Sequence, residues 1–265
     1  MPAEYVHLSL AARSADALVL PAGVRPAFVL GTVAADVNNP LGWPREATHF
    51  WPNAGGDVSG ALTLLARHPS LRASSLAPAE RAFTAGYLGH LITDEQEILM
   101  ISRPYVQPEA VRRADGAPGA SRRELRLASL IVVDAAVEAD DPRPMRRSVD
   151  ELRAAVDLPL RDDLLPFAPL AAVRAWAAQT LAVADLPASW PRVMPHRAAE
   201  ALPVDVAGRV VALQDDLRSR LSRTVVRAFA DRATGESVRL IEAYFADRPL
   251  PVPEGTTPLA EKAGR

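Results

Sequence analysis

The chain of 265 residues has no cysteine, and of its 30 basic residues only Lys262 is a lysine. Without thiols there is no disulfide framework, no thiolate ligand and no cysteine nucleophile, so any metal chemistry has to come from histidine and carboxylates. A strong charge of one sign is also missing. The net charge is −2 with the signs mixed, which excludes the basic footprint of a nucleic-acid-binding protein, and no Lys/Arg run offers a polybasic membrane patch. No apolar run approaches the ~20 residues that cross a bilayer. No basic segment followed by an apolar stretch and a small-residue cleavage site opens the chain, so the expectation is a cytoplasmic protein without a signal peptide or a stable membrane anchor. No strand-like alternation and no internal repeat occurs, which makes the expected fold all-α. A chain of this length can bury a large core. The expected organisation is one helical domain over residues 1–248 and a loose tail, rich in Pro, Gly and Thr, over residues 249–265.

What is present centres on residues 79–105, AERAFTAGYLGHLITDEQEILMISRPY. Pro78 is tolerated in a first helical turn and no further proline occurs until Pro104, so the segment is expected to form one long helix. His90 and Asp94 are four residues apart and therefore share a face, where imidazole and carboxylate converge. Phe83, Gly86, Tyr87, Ile98 and Ile101 lie on the same stripe, so that face should turn inward. An unpaired carboxylate buried there is costly and calls for a cation. Candidate partners lie elsewhere in the chain: His7 on the packing stripe of a helix over residues 4–20, Asp36 at the end of the apolar run of a helix over residues 25–37, and His49 in THFWPN. Together these are N and O donors of the kind that zinc, iron or manganese accepts. His68 and His196 are left over, the first read as a solvated or dipole-stabilising side chain and the second as structural, surface-exposed or a late ligand.

Residues 38–56 hold three prolines and are expected to be an irregular loop, with Trp43, Phe50 and Trp51 forming a packed wall beside the site. A third helix is expected over residues 58–68. Ser121 with Glu124 makes a capping box for a helix to about Asp140. Within it Asp134, and Glu138 one turn later, place carboxylates on an apolar face, as ligands or as acceptors for the outer N–H of a metal-bound histidine, or as partners of an arginine. Further helices are expected from a cap at Ser148, over residues 164–186, from Asp205 to about Asp231, and over residues 236–247. Beside the pair, Glu95 is expected on a solvated face and Glu97 behind the ligands, while Arg45 and Arg103 are surface charges or contacts for an anionic substrate.

The order of an early helical His, GTVAADV, THFWPN and GYLGHLITDEQ resembles the zinc-dependent phospholipase C family over roughly residues 4–105. The resemblance implies a multi-helix phospholipase C-like bundle with a buried metal site, here carrying extra C-terminal helices. It also implies one ion held by Asp36, His49, His90 and Asp94, and a further ion at His7 that shares Asp94. The chain departs from that pattern in having no tryptophan near its start, Met100 near the place of a later histidine, and no His-x-x-x-Glu pair. One or two ions, zinc first with iron or manganese as alternatives, are therefore expected. The activity implied is hydrolysis of a small-molecule or lipid-like phosphoester by metal-activated water, with Asp36 doubling as ligand and proton acceptor; Asp134, outside the resemblance, is added from its apolar helix face as a further catalytic carboxylate. Two alternatives stand beside it: a metal-dependent lyase or cyclase acting on a small molecule, and a non-catalytic helical module tied by a structural metal. A His-Asp phosphohydrolase is excluded because no adjacent His-Asp occurs, and a di-iron oxidase because no Glu-x-x-His pair occurs.

Overall fold

The structure, a computed structural model, describes residues 4–50, 58–107, 121–184 and 204–257. Among these residues the fold is all-α. In chain order the helices are α1 Glu4–Ala17, α2 Arg25–Ala34, α3 Asn38–Leu41, α4 Glu46–His49, α5 Gly60–Arg67, α6 Pro78–Glu97, α7 Arg122–Asp140, α8 Arg143–Ala155, α9 Leu170–Ala184, α10 Val204–Arg220 and α11 Arg223–Phe245. The only β pairing among the described residues is an isolated bridge between Val58 and Thr257.

Helix α6 is the axis of the fold. Pro78 occupies its first turn and the Glu80 carboxylate accepts the Ala77 N–H at 3.2 Å, which satisfies one of the donors that a helix start leaves open. Almost every residue from Glu80 to Glu97 is buried, because α2, α5, α11 and α1 surround it. The inward stripe foreseen from the sequence is therefore only part of the buried surface. Glu95, expected on a solvated face, is fully buried, and Gln96 and Glu97 are buried with it. Beyond Glu97 the chain winds on as a π-helix from Ile98 to Val106 that contains Pro104. The wider winding carries a residue that has no N–H for the α-helical pattern.

The crossing of α2 over α6 is unusually close. A methyl group on Gly31 would overlap the Phe83 carbonyl, and one on Gly86 would overlap the Phe28 carbonyl. Each glycine therefore takes the backbone of the facing helix directly. Around this crossing, Phe28, Leu30, Phe83, Leu88 and Ile92 join Leu152, Val173 and Trp176 in one core, while Val6, Leu10 and Ile101 join Leu125, Leu217 and Phe229 in a second. Helix α1 contributes to both, with Leu8, Ala11 and Ala15 in the first.

Several expected boundaries move. The helix expected over residues 25–37 ends at Ala34 and tightens into a 3-10 turn, Ala35–Val37. Residues 38–50 are not an irregular loop, since α3 and α4 each contribute one turn there. Ser148 is not a cap. Helix α8 starts at Arg143, where Asp141 Oδ1 accepts the Arg143 N–H at 3.0 Å and Pro144 fits the first turn, leaving Ser148 buried in mid-helix. The helix expected over residues 164–186 begins only at Leu170. The single helix expected from Asp205 to Asp231 is two, because Ser222 Oγ accepts the Val225 N–H at 3.3 Å and caps α11, which itself runs on through residues 236–245. The segment expected to be loose from Pro249 is held as far as Thr257. Arg239 donates to the Val252 carbonyl at 2.9 Å, and Gln96 and Arg232 both donate to the Glu254 carbonyl at 3.3 Å. No helix among the described residues is long and apolar enough to cross a membrane.

Candidate metal centre

The close crossing of α2 and α6 places the end of α2 beside the middle of α6. His90 Nδ1 lies 2.7 Å from the Thr32 carbonyl oxygen. A carbonyl only accepts, so Nδ1 carries the proton and Nε2 faces the interior with its lone pair. One turn further along α2, the 3-10 turn brings Asp36 to the same place. His49 arrives as the last residue of α4, with Nδ1 3.0 Å from Thr48 Oγ1. Asp94 follows His90 by one turn, and the His7 ring from α1 stacks on His90 with centroids 3.9 Å apart and planes 8° from parallel. All five residues are at most 2% exposed.

The spacing of the donor atoms is informative. His49 Nε2 and His90 Nε2 are 3.2 Å apart. Asp94 Oδ2 is 3.3 Å from the first and 3.6 Å from the second, while Asp36 oxygens are 3.5 and 3.9 Å from them. Four ligands around zinc at ordinary bond lengths sit about 3.4 Å from one another. The three distances among His49 Nε2, His90 Nε2 and Asp94 Oδ2 match edges of such a tetrahedron, while Asp36 meets the two histidines through different oxygens, Oδ1 to His49 and Oδ2 to His90. His7 Nε2 is 3.4 Å from the other oxygen of Asp94, Oδ1. Two groups of donors, His7 with His90 and Asp94, and Asp36 with His49 and His90, can each hold a metal ion.

Polar satisfaction points the same way. Both His7 nitrogens, Asp36 Oδ1 and Asp94 Oδ1 are buried without a hydrogen-bond partner among the described residues, and orphaned groups of this kind cost about 1–3 kcal/mol each. Burial raises the pKa of Asp36 and Asp94, but His90 and His49 for the first, and Arg45 and His90 for the second, outweigh it and hold both well below the usual carboxylate range. Burial lowers His7, and the neighbouring His90 lowers it further; at His90 the carboxylates outweigh burial and the net shift is upward.

Arg45, one turn before His49, places its guanidinium on Asp94 Oδ2, and its Nη1 is buried without a partner. Arg103 lies half-buried on the π-helical segment. Asp134 is buried on α7 and Glu138 half-buried one turn on, but neither belongs to either donor group, because α7 packs against α10 and the second core. His196 and Trp51 lie outside the described residues. Of the expected aromatic wall, Trp43 is 38% exposed. Phe50 is buried at a left-handed φ of 57°, its ring edge-on to Phe167 at 4.8 Å. His68 is not fully solvated, since its ring lies 4.8 Å from Phe167.

The groups behind the donors escaped the sequence analysis. Tyr87, taken there as one apolar position of a stripe, donates its hydroxyl to the Thr48 carbonyl at 2.5 Å and so ties the His49 turn to α6. Replacing Tyr87 by Phe leaves that carbonyl unpaired and is expected to lower stability by about 1–3 kcal/mol, read from urea unfolding; an unchanged midpoint would show that the bond contributes nothing. Glu95 Oε1 accepts Ser59 Oγ at 2.9 Å and the Ala61 N–H at 3.3 Å, and burial pushes this carboxyl up to about 8 against those bonds. The only sequence signal for these roles was proximity to the ligand candidates.

A void of about 10 Å³ adjoins His7 and His90, lined also by Ser14, Thr32, Thr93 and Ser237, room for about one water. A cavity of about 660 Å³ lies elsewhere, between α5 and the end of α11. Compared with family models, curated proteins and solved structures, the chain matches none.

Proposed function

We propose that the chain is a metal-dependent hydrolase of phosphoesters, with zinc as the best-fitting ion. The observation that carries this reading is the meeting of His49, His90 and Asp94 at tetrahedral-edge distances inside the helical body, with Asp36 3.5 Å from His49 and Arg45 on Asp94. These four residues would hold one ion, and His7 with Asp94 Oδ1 would contribute to a second. A cation there supplies Lewis acidity and lowers the pKa of water toward ~7.

The chain's own groups account for the remaining steps. The Thr32 carbonyl holds the proton of His90 on Nδ1 and keeps Nε2 available as a donor. Asp36 Oδ1, which has no donor of its own, is placed to accept a proton from water. Arg45 Nη1, buried and unpartnered, supports an anionic substrate, because a planar guanidinium suits phosphoryl oxygens. A second reading, a metal that only ties helices together, is favoured by the near-complete burial of all five donor residues and by the small void beside them.

Metal content of the purified protein, combined with turnover of p-nitrophenyl phosphate and bis(p-nitrophenyl) phosphate, separates the two. The hydrolase reading expects turnover that a chelator removes and zinc restores, with KM raised in Arg45→Gln. Bound zinc without turnover of either ester would leave the structural reading, and absence of bound zinc would end both.

A further inference from the structure

We propose that Glu95 is a positioning residue for His49, acting through the first turn of α5. The inference rests on the metal-site reading above. Glu95 follows Asp94 in α6, so its side chain leaves the helix about 100° away from the Asp94 direction, and it meets α5 instead of the donor cluster. There its Oε1 accepts from Ser59 Oγ at 2.9 Å and from the Ala61 N–H at 3.3 Å. Ser59 is the N-cap of α5, its Oγ 3.4 Å from the Leu62 N–H. One carboxyl oxygen thus binds both the capping side chain and a backbone donor of the first turn, where a helix start leaves N–H groups open.

Between those two contacts lies Gly60. A methyl group on Gly60 would overlap the His49 carbonyl oxygen, and its next nearest side-chain atom is Glu95 Oε1 at 3.8 Å. The first turn of α5 is therefore pressed against the backbone of His49, and Glu95 is the group that fastens this turn to α6, one residue from Asp94. His49 belongs to a single helical turn, α4, closed by Phe50 at positive φ. So short an element has little intrinsic stability. Its side chain keeps its place because Tyr87 holds Thr48 from one side and Gly60 backs His49 from the other.

The test is titration of the folded, metal-free protein with zinc and, separately, with cobalt(II), whose visible absorption reports coordination geometry. Glu95→Ala should weaken zinc binding by about 10–100-fold, the range seen when a residue behind a ligand is removed, and should change the cobalt spectrum. Glu95→Gln should restore both, because its amide oxygen can accept the same two bonds. Gly60→Ala, whose methyl would overlap the His49 carbonyl and meet Glu95 Oε1 only at ordinary van der Waals distance, should reproduce the spectral change and covers the case in which Glu95→Ala does not fold. A purely stabilising Glu95 would lower the melting temperature in Glu95→Ala while leaving zinc affinity and cobalt spectrum as in the wild type, and that result overturns the proposal. Wild-type protein that takes up neither ion would overturn the metal-site reading itself.

Discussion

Replacing His90 by Ala is expected to remove tight zinc binding from the folded protein, with a loss of affinity beyond the ~100-fold typical of changes behind a ligand. His90 is the one side chain common to both donor groups, and its Nδ1 contact with the Thr32 carbonyl fixes the tautomer that a ligand needs. Thermal melts give a second readout. Zinc at about 1,000 times its Kd should stabilise the wild type by about 4 kcal/mol, an upward shift of roughly 10 °C for a chain of this size. The variant should show no such shift. The measurement also discriminates against a purely ionic cluster, in which His90 balances Asp36 and Asp94 without any metal. In that case the variant would melt well below the wild type and zinc would move neither curve. Zinc binding by His90→Ala at wild-type affinity would remove the residue from the site.

Gly86→Ala is expected to destabilise the fold by about 3 kcal/mol or more, at or above the upper end for overpacked cores. Alanine is the better helix former by about 1 kcal/mol, so propensity alone predicts the opposite sign. The overlap decides it. The added methyl would occupy the position of the Phe28 carbonyl oxygen, and backbone yields far less than the end of a flexible side chain. Helix α2 would have to move away from α6, carrying Thr32 and Asp36 with it, so zinc affinity should fall together with stability. Gly235→Ala is the internal control, since nothing lies within 4 Å of the added methyl on α11, and it should be neutral or stabilising by up to ~1 kcal/mol. Equal unfolding midpoints for the two variants in urea would refute the close-crossing account.

How much of this was legible varied from element to element. The His90/Asp94 pair was visible because helical periodicity is a local property, and a spacing of four on an apolar stripe needs no knowledge of the partner. His7 could be placed on a packing face for the same reason, whereas Asp36 was placed only at the end of an apolar run. The capping box at Ser121 held, with Glu124 Oε2 bonded to the Ser121 N–H, because both halves of that motif lie within one turn. The same pattern at Ser148 misled, because Asp141 and Pro144 start the helix earlier and a capping box is only one of several local bids for a helix start. Glu95 was misplaced for a different reason. A charged residue beside a ligand pair reads as solvated unless something covers it, and what covers it here is α5, through Ser59.

By itself the sequence determined that the chain is helical, that its metal-ligand chemistry is limited to imidazole and carboxylate, and which five side chains are suited to share an ion. The first two follow from composition and from a periodicity of a few residues, and the choice of the five follows from the order of motifs that carries the family resemblance. Tertiary structure alone decided that the five side chains meet, which tautomer His90 holds, that Arg45 reaches Asp94, and that Tyr87 and Glu95 stand behind His49. Each of these depends on contacts between residues distant in the chain, and those contacts depend in turn on how closely two backbones approach at Gly31 and Gly86.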